Sequence, residues 1–79
     1  MTVILFSSPS CVWCKKVKDF FRLNDIRFKE LDVSKDQKAA QDMMKKTGQQ
    51  SVPQIWIGGT AVVGFDHLKL EKLLKLHKE

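Results

Sequence analysis

The sequence predicts an α/β protein in which a four-stranded mixed sheet carries three helices, in the order β-α-β-α-β-β-α. Three observations lead there. Short runs rich in Val, Ile and Phe alternate with segments of helical period. A Gly58-Gly59 pair separates two such runs in the C-terminal third, a strong signal for an antiparallel hairpin. At 79 residues, 43% of them hydrophobic, the chain has material for one core, so residues 1–79 read as a single domain.

Thr2 to Phe6 is β-branched and aromatic and runs into Ser7-Ser8-Pro9, the pattern of a buried strand followed by a loop. Ser10 is placed to cap a first helix, in which Cys14, Val17, Phe20 and Phe21 recur at helical spacing up to Leu23, with Asn24 as its stop. Phe28 to Val33 has the length and flanks of a second strand. Ser34-Lys35-Asp36-Gln37 has the form of a capping box and starts a second helix, with Ala39, Ala40, Met43 and Met44 as its apolar stripe. Lys45 and Lys46 suit the negative end of its dipole, and Gly48 ends it. Gln54 to Ile57 and Thr60 to Val63 form the hairpin, with both glycines expected at positive φ. Asp66 caps a last helix that buries Leu70, Leu73 and Leu74 and pairs Glu71 with Lys75 on its outer side. A crossover through the first helix makes strands one and two parallel, and a two-layer sandwich is expected.

Cys11-Val12-Trp13-Cys14 falls where the first strand gives way to the first helix. A sulfur in the first helical turn meets unpaired backbone N–H groups, which favour thiolate over thiol. In such motifs the pKa of the first cysteine falls from about 8.5 into the range of about 3.5–7.5. Cys14 lies one turn on and on the same face, within reach of a disulfide, and the face it shares with Val17 and Phe21 makes it the more buried of the two. An exposed nucleophilic sulfur and a second thiol that can release it are what thiol–disulfide exchange requires. A bridge closing so short a loop contributes little to stability, so the pair reads as redox chemistry rather than as a staple.

The remaining composition narrows the alternatives. A structural zinc site would need two more ligands, and His67 and His77 stand ten apart on one helix, so no metal is expected. A copper-carrier module has a Met two residues before the first cysteine and a different element order; here that position holds Pro9. The net charge of +5 falls mainly on the polar sides of the helices without interleaved aromatic residues, which argues against nucleic acid. The run Val3-Ile4-Leu5-Phe6 is too short for a signal or membrane segment. The expected setting is the reducing cytoplasm, with the chain as a monomer and no membrane partner.

Taken together, the Cys-x-x-Cys pair, Ser51-Val52-Pro53-Gln54-Ile55 and Val63-Gly64-Phe65-Asp66 resemble the glutaredoxin family, and the likeness covers the whole chain. The resemblance implies a minimal thioredoxin-like fold and a glutathione-linked thiol–disulfide oxidoreductase, with Cys11 as nucleophile and Cys14 as resolving thiol. It implies a cis bond before Pro53 and backbone pairing of Val52 with glutathione, with Trp13 flanking the glutathione thiol and Gln50 and Ser51 beside it. Phe65, Asp66 and His67, at the start of the last helix, would hold the γ-glutamyl carboxylate. Glutathione would serve as reductant, and disulfide-bonded or glutathionylated proteins as substrates. Five positions depart from the usual pattern: Ser8 replaces a Lys, Val12-Trp13 a Pro-Tyr pair, Val63 a Gly and His67 an acidic residue. Gln50 also stands where many members have Arg, leaving Lys45 and Lys46 as nearby cations. A sister group of glutaredoxin-like redoxins, reduced by thioredoxin reductase and serving ribonucleotide reductase, shares Gly64-Phe65 but less of the surrounding run, so the glutathione-linked reading is favoured.

Overall fold

A strand that is apolar on both faces can be buried only by a sheet covered on both sides, and the first strand of this chain is such a strand. In the computed structural model, which describes residues 2–75, it is β1 (Val3–Ser7), followed by α1 (Val12–Leu23), β2 (Lys29–Asp32), α2 (Gln37–Thr47), β3 (Gln54–Ile57), β4 (Thr60–Val63) and α3 (His67–Leu74). The strands form one sheet in the order β2-β1-β3-β4. β1 runs parallel to β2 and antiparallel to β3, which pairs antiparallel with β4. The element order and the mixed sheet are those expected, and the fold is thioredoxin-like.

Val3 and Leu5 face one side with Ile55, Ile57 and Val62, and pack against Val17 and Phe21 of α1 and Leu70 of α3. Ile4 and Phe6 face the other side, where Ala39 and Met43 of α2 close a smaller cluster with Leu31, Val33 and Trp56. The molecule therefore has three layers rather than the expected two, because the apolar run of β1 presents side chains to both faces. The larger cluster is rich in aromatics: Phe21 packs at a tilt against Phe28 at 4.9 Å and against Phe20 at 6.0 Å between ring centroids.

Several element ends differ from expectation. α2 begins at Gln37, and its cap is Asp36, two residues after Ser34: the Asp36 carboxylate accepts from Ala39 N at 3.0 Å. Ser34 is taken by Asp32, whose Oδ1 accepts both its amide and its hydroxyl, so it is not free to cap a helix. Met43 is buried but Met44 is 40% exposed, so only one of the methionine pair belongs to the core. In the hairpin only Gly58 takes a positive φ, 61°, so the turn needs the freedom of one glycine rather than two. Lys75 leaves α3 at φ 58° as its C-terminal cap, which removes it from the helical spacing that would pair it with Glu71. Gly48, at φ 72°, ends α2 as expected. His77 lies outside the described residues.

Candidate active site

The chain leaves β1 through Ser8-Pro9-Ser10 and closes a turn in which Cys11 N donates to Ser8 O at 3.2 Å. That turn leaves Ser10 outside the helix and makes Cys11 itself the capping residue, with an extended backbone at φ −87°, ψ 107°. Its Sγ accepts from Cys14 N at 3.0 Å, the role usually taken by a serine or aspartate oxygen. The sulfur thus faces the unpaired N–H groups of α1, and the first turn holds no acidic residue to oppose negative charge on it. Cys11 and Cys14 are joined as a disulfide with a Cα–Cα distance of 5.2 Å. Cys14 is 1% exposed whereas Cys11 is partly open, so an incoming sulfur can reach only one of the two.

Beside the pair lies an open groove of about 360 Å3, near the lower end of the size of small-molecule sites. Trp13 and Phe65 form one side, with ring centroids 6.4 Å apart, and Phe20 braces Phe65 from the core at 5.7 Å. Ser51, Val52 and Pro53 form the other, with the Val52–Pro53 bond cis. Val63 and Gly64 close the end. Gly64, at φ 85°, donates its N–H to Pro53 O at 2.8 Å and so joins the exit of β4 to the proline loop; that φ is strained for any residue with a Cβ.

The proline loop is held from below by Gln54, which is fully buried. Its Nε2 donates to the carbonyls of Gln49 and Ser51 at 3.1 and 3.2 Å, and its Oε1 accepts from Thr47 Oγ1 at 3.2 Å. Thr47 Oγ1 also stands 3.0 Å from Met43 O, so its single proton is shared between that carbonyl and Gln54 Oε1, and the loop is tied to the last turn of α2. Sequence reasoning passed over Gln54 as a strand residue and left Val63 and Gly64 out of the site. A carboxamide opening the otherwise apolar run Gln-Ile-Trp-Ile was the available signal for the first, and the left-handed glycine after β4 for the others.

The other expected site residues are spread more widely. Trp13, Ser51, Val52, Pro53 and Phe65 line the groove together. Gln50 instead lines a second cavity of about 280 Å3 with Ala40, Gln41, Met44 and Lys45, on the outer side of α2. Lys46 turns away from both, donating to Gly59 O at 2.9 Å and lying 5.8 Å over the Trp56 ring. Asp66 caps α3 by accepting from Lys69 N at 3.2 Å, and His67 is exposed with its ring 6.1 Å from that of Phe65.

Charge beneath the site is paired. Ser7, 3% exposed at the end of β1, donates its hydroxyl to Glu30 Oε2 at 2.7 Å, and Lys18, one turn beyond Cys14, reaches the same carboxylate at 3.0 Å. The Ser7 hydrogen bond, helped by Lys18, holds the Glu30 carboxyl below the usual glutamate range. Asp32 is lowered likewise, chiefly by the Ser34 hydroxyl. Among the described residues no three His, Cys, Asp or Glu side chains gather as a metal site, and no helix is long and apolar enough to cross a membrane.

The chain resembles known proteins both in sequence and in fold. The glutaredoxin family model matches residues 3–62. A glutaredoxin-like 8.6 kDa protein from the rubredoxin operon of Clostridium pasteurianum is 35% identical over 90% of this chain and 95% of its own length. A glutaredoxin of Pseudomonas aeruginosa is 32% identical over 94% of this chain and 89% of its own. Among solved structures, a variant of the thioredoxin-like protein BC3987 superposes with a TM-score of 0.91 at 32% identity, covering 96% of this chain and 97% of that one. A buckwheat glutaredoxin solved as a complex with glutathione superposes at 0.77 with 25% identity, over 94% of this chain and 74% of its own. The Cys11–Cys14 pair and the match across β1 to β4 lead to one conclusion: the chain belongs to the glutaredoxin family of thiol–disulfide oxidoreductases.

Proposed function

We propose that this protein is a glutathione-linked dithiol oxidoreductase, which reduces protein disulfides and glutathione mixed disulfides through Cys11 and Cys14. The observation that carries the reading is the unequal exposure of the two sulfurs beside an open groove. In the reduced protein the Cys11 thiolate attacks one sulfur of a substrate disulfide, and the other sulfur leaves as a thiolate that takes up a proton. Cys14, deprotonated, then attacks the Cys11 sulfur, forms the internal disulfide and expels the second substrate thiol. Two electrons have passed to the substrate. Two molecules of glutathione return them, the first forming a mixed disulfide at Cys11 and the second leaving as oxidised glutathione. Trp13, Val52, Pro53 and Phe65 would flank the bound glutathione thiol, and the start of α3 at Asp66 and His67 would receive its γ-glutamyl carboxylate. Such turnover belongs in a reducing compartment such as the cytoplasm, where the dithiol form is maintained.

One observation favours a second reading. Gln50 and Lys45 line the neighbouring cavity and not the groove, so the glycine carboxylate of glutathione gains no side-chain partner from them there. A redoxin that takes electrons from thioredoxin reductase and serves ribonucleotide reductase would not need that contact. The deciding experiment supplies the oxidised protein with either glutathione, glutathione reductase and NADPH, or thioredoxin reductase and NADPH. Efficient reduction by the first system supports the glutathione-linked reading. Reduction by the second alone replaces it with the redoxin reading.

A further inference from the structure

The first turn of α1 holds two large apolar side chains in water: Val12 is 63% exposed and Trp13 56%. Exposed residues of this size next to a reactive sulfur form a contact surface. Trp13 also lines the groove beside Cys11, and the ammonium of Lys16 lies 4.8 Å from the centroid of its ring. The cation thus lies against the indole that forms the rim of the groove, while Lys16 itself stays exposed to solvent. Among the described residues, the nearby acidic side chains are engaged elsewhere: Asp19 pairs with Arg22 at 3.5 Å, Glu30 with Lys18 at 3.0 Å, and Asp66 caps α3.

We infer that Lys16, held against Trp13, is a specificity residue that favours protein substrates with an acidic side chain next to the half-cystine attacked by Cys11. The inference rests on the proposed role of Cys11 and adds the chemical class of substrate. An extended segment entering the groove places its sulfur at Cys11 and its neighbouring side chain along the indole, where a carboxylate meets an unneutralised cation. Charge at the rim of a contact acts on encounter and on partner choice, and salt screens it.

The test uses the fully reduced full-length protein and three disulfide-linked peptide dimers, identical except for Glu, Gln or Lys beside the cysteine. Single-turnover reduction rates are divided by the rates of the same peptides with dithiothreitol, which removes the effect of the neighbour on the peptide thiol itself. The expected result is a Glu-to-Gln rate ratio of about three to ten at low ionic strength, with the Lys peptide below both, collapsing at high salt. Lys16→Gln should bring the ratio to about one, Lys16→Arg should restore it, and Lys15→Gln should leave it in place. A reduced thiolate at Cys11 acts on all three peptides alike, so a change in its reactivity does not move the ratio. A ratio of one in the wild type, or a full ratio in Lys16→Gln, overturns the inference. Failure to reduce any peptide overturns the exchange reading beneath it, a separate and recognisable outcome.

Discussion

The two sides of the groove are held in place by different means. The α1 side, carrying Cys11 and Trp13, stands on a helix whose opposite face buries Cys14, Val17 and Phe21, so its position follows from apolar packing. The proline loop has few such anchors; a buried carboxamide, Gln54, ties the carbonyls of Gln49 and Ser51 to Thr47. Packing is non-directional and tolerates repacking, whereas a buried polar clamp depends on particular donors and acceptors, so removing the carboxamide loses all of its hydrogen bonds at once. One side should therefore respond to substitution in proportion to volume, and the other to the loss of specific atoms.

The largest effect is expected at the tip of the α1 side. Cys11→Ser should abolish all exchange, whereas Cys14→Ser should lose protein-disulfide reduction but keep deglutathionylation, which needs only one sulfur. Steady-state assays with both substrates measure this, and activity in Cys11→Ser would remove the nucleophile from the mechanism. Below that tip, Phe21→Ala should cost about 3–5 kcal/mol by leaving a cavity under α1, read from denaturant midpoints. A loss under 1 kcal/mol would mean that packing does not hold this side.

On the loop side, Gln54→Leu keeps the volume but removes the hydrogen bonds to Gln49, Ser51 and Thr47, a cost of about 1–3 kcal/mol. Its activity loss should appear mainly in KM, since the loop's proposed role is to bind substrate while the cysteines stay in place. A loss confined to kcat would argue against the clamp. Asp66→Ala removes the cap of α3 at about 0.5–2 kcal/mol and should raise KM for glutathione, whereas His67→Asp should lower it by offering a carboxylate to the glutamyl ammonium. Unchanged KM in both would detach α3 from the binding site.

The smallest effect is electrostatic. Because its folded-state pKa is lowered, Glu30 adds stability that is present above the ordinary glutamate pKa of about 4.3 and lost as pH falls through the lower folded value. Its side chain is 37% exposed, which limits the contribution to about 0.2–1 kcal/mol. Thermal midpoints of wild type and Glu30→Gln should differ at neutral pH and converge in acid. A gap that persists at low pH would assign the effect to something other than the carboxylate's charge.

The element order, the hairpin at Gly58-Gly59, the buried face of α1 and the identity of the two sulfurs were legible from residue order alone. These are local matters: periodicity, turn chemistry and a three-residue spacing depend on neighbours along the chain. Even the caps were only partly legible, since Ser10 and Ser34 have the right chemistry and are displaced by competing groups, Cys11 in one case and Asp32 with Asp36 in the other. That α2 covers the second face of the sheet, that Gln50 turns to a separate cavity and that Gln54 supports the proline loop emerged only from the folded arrangement. Each of these depends on groups brought together from distant segments, or on which of two nearby cavities a side chain enters. Residue type and spacing carry no term for such directions, because a buried hydrogen bond is chosen by where its partners already stand.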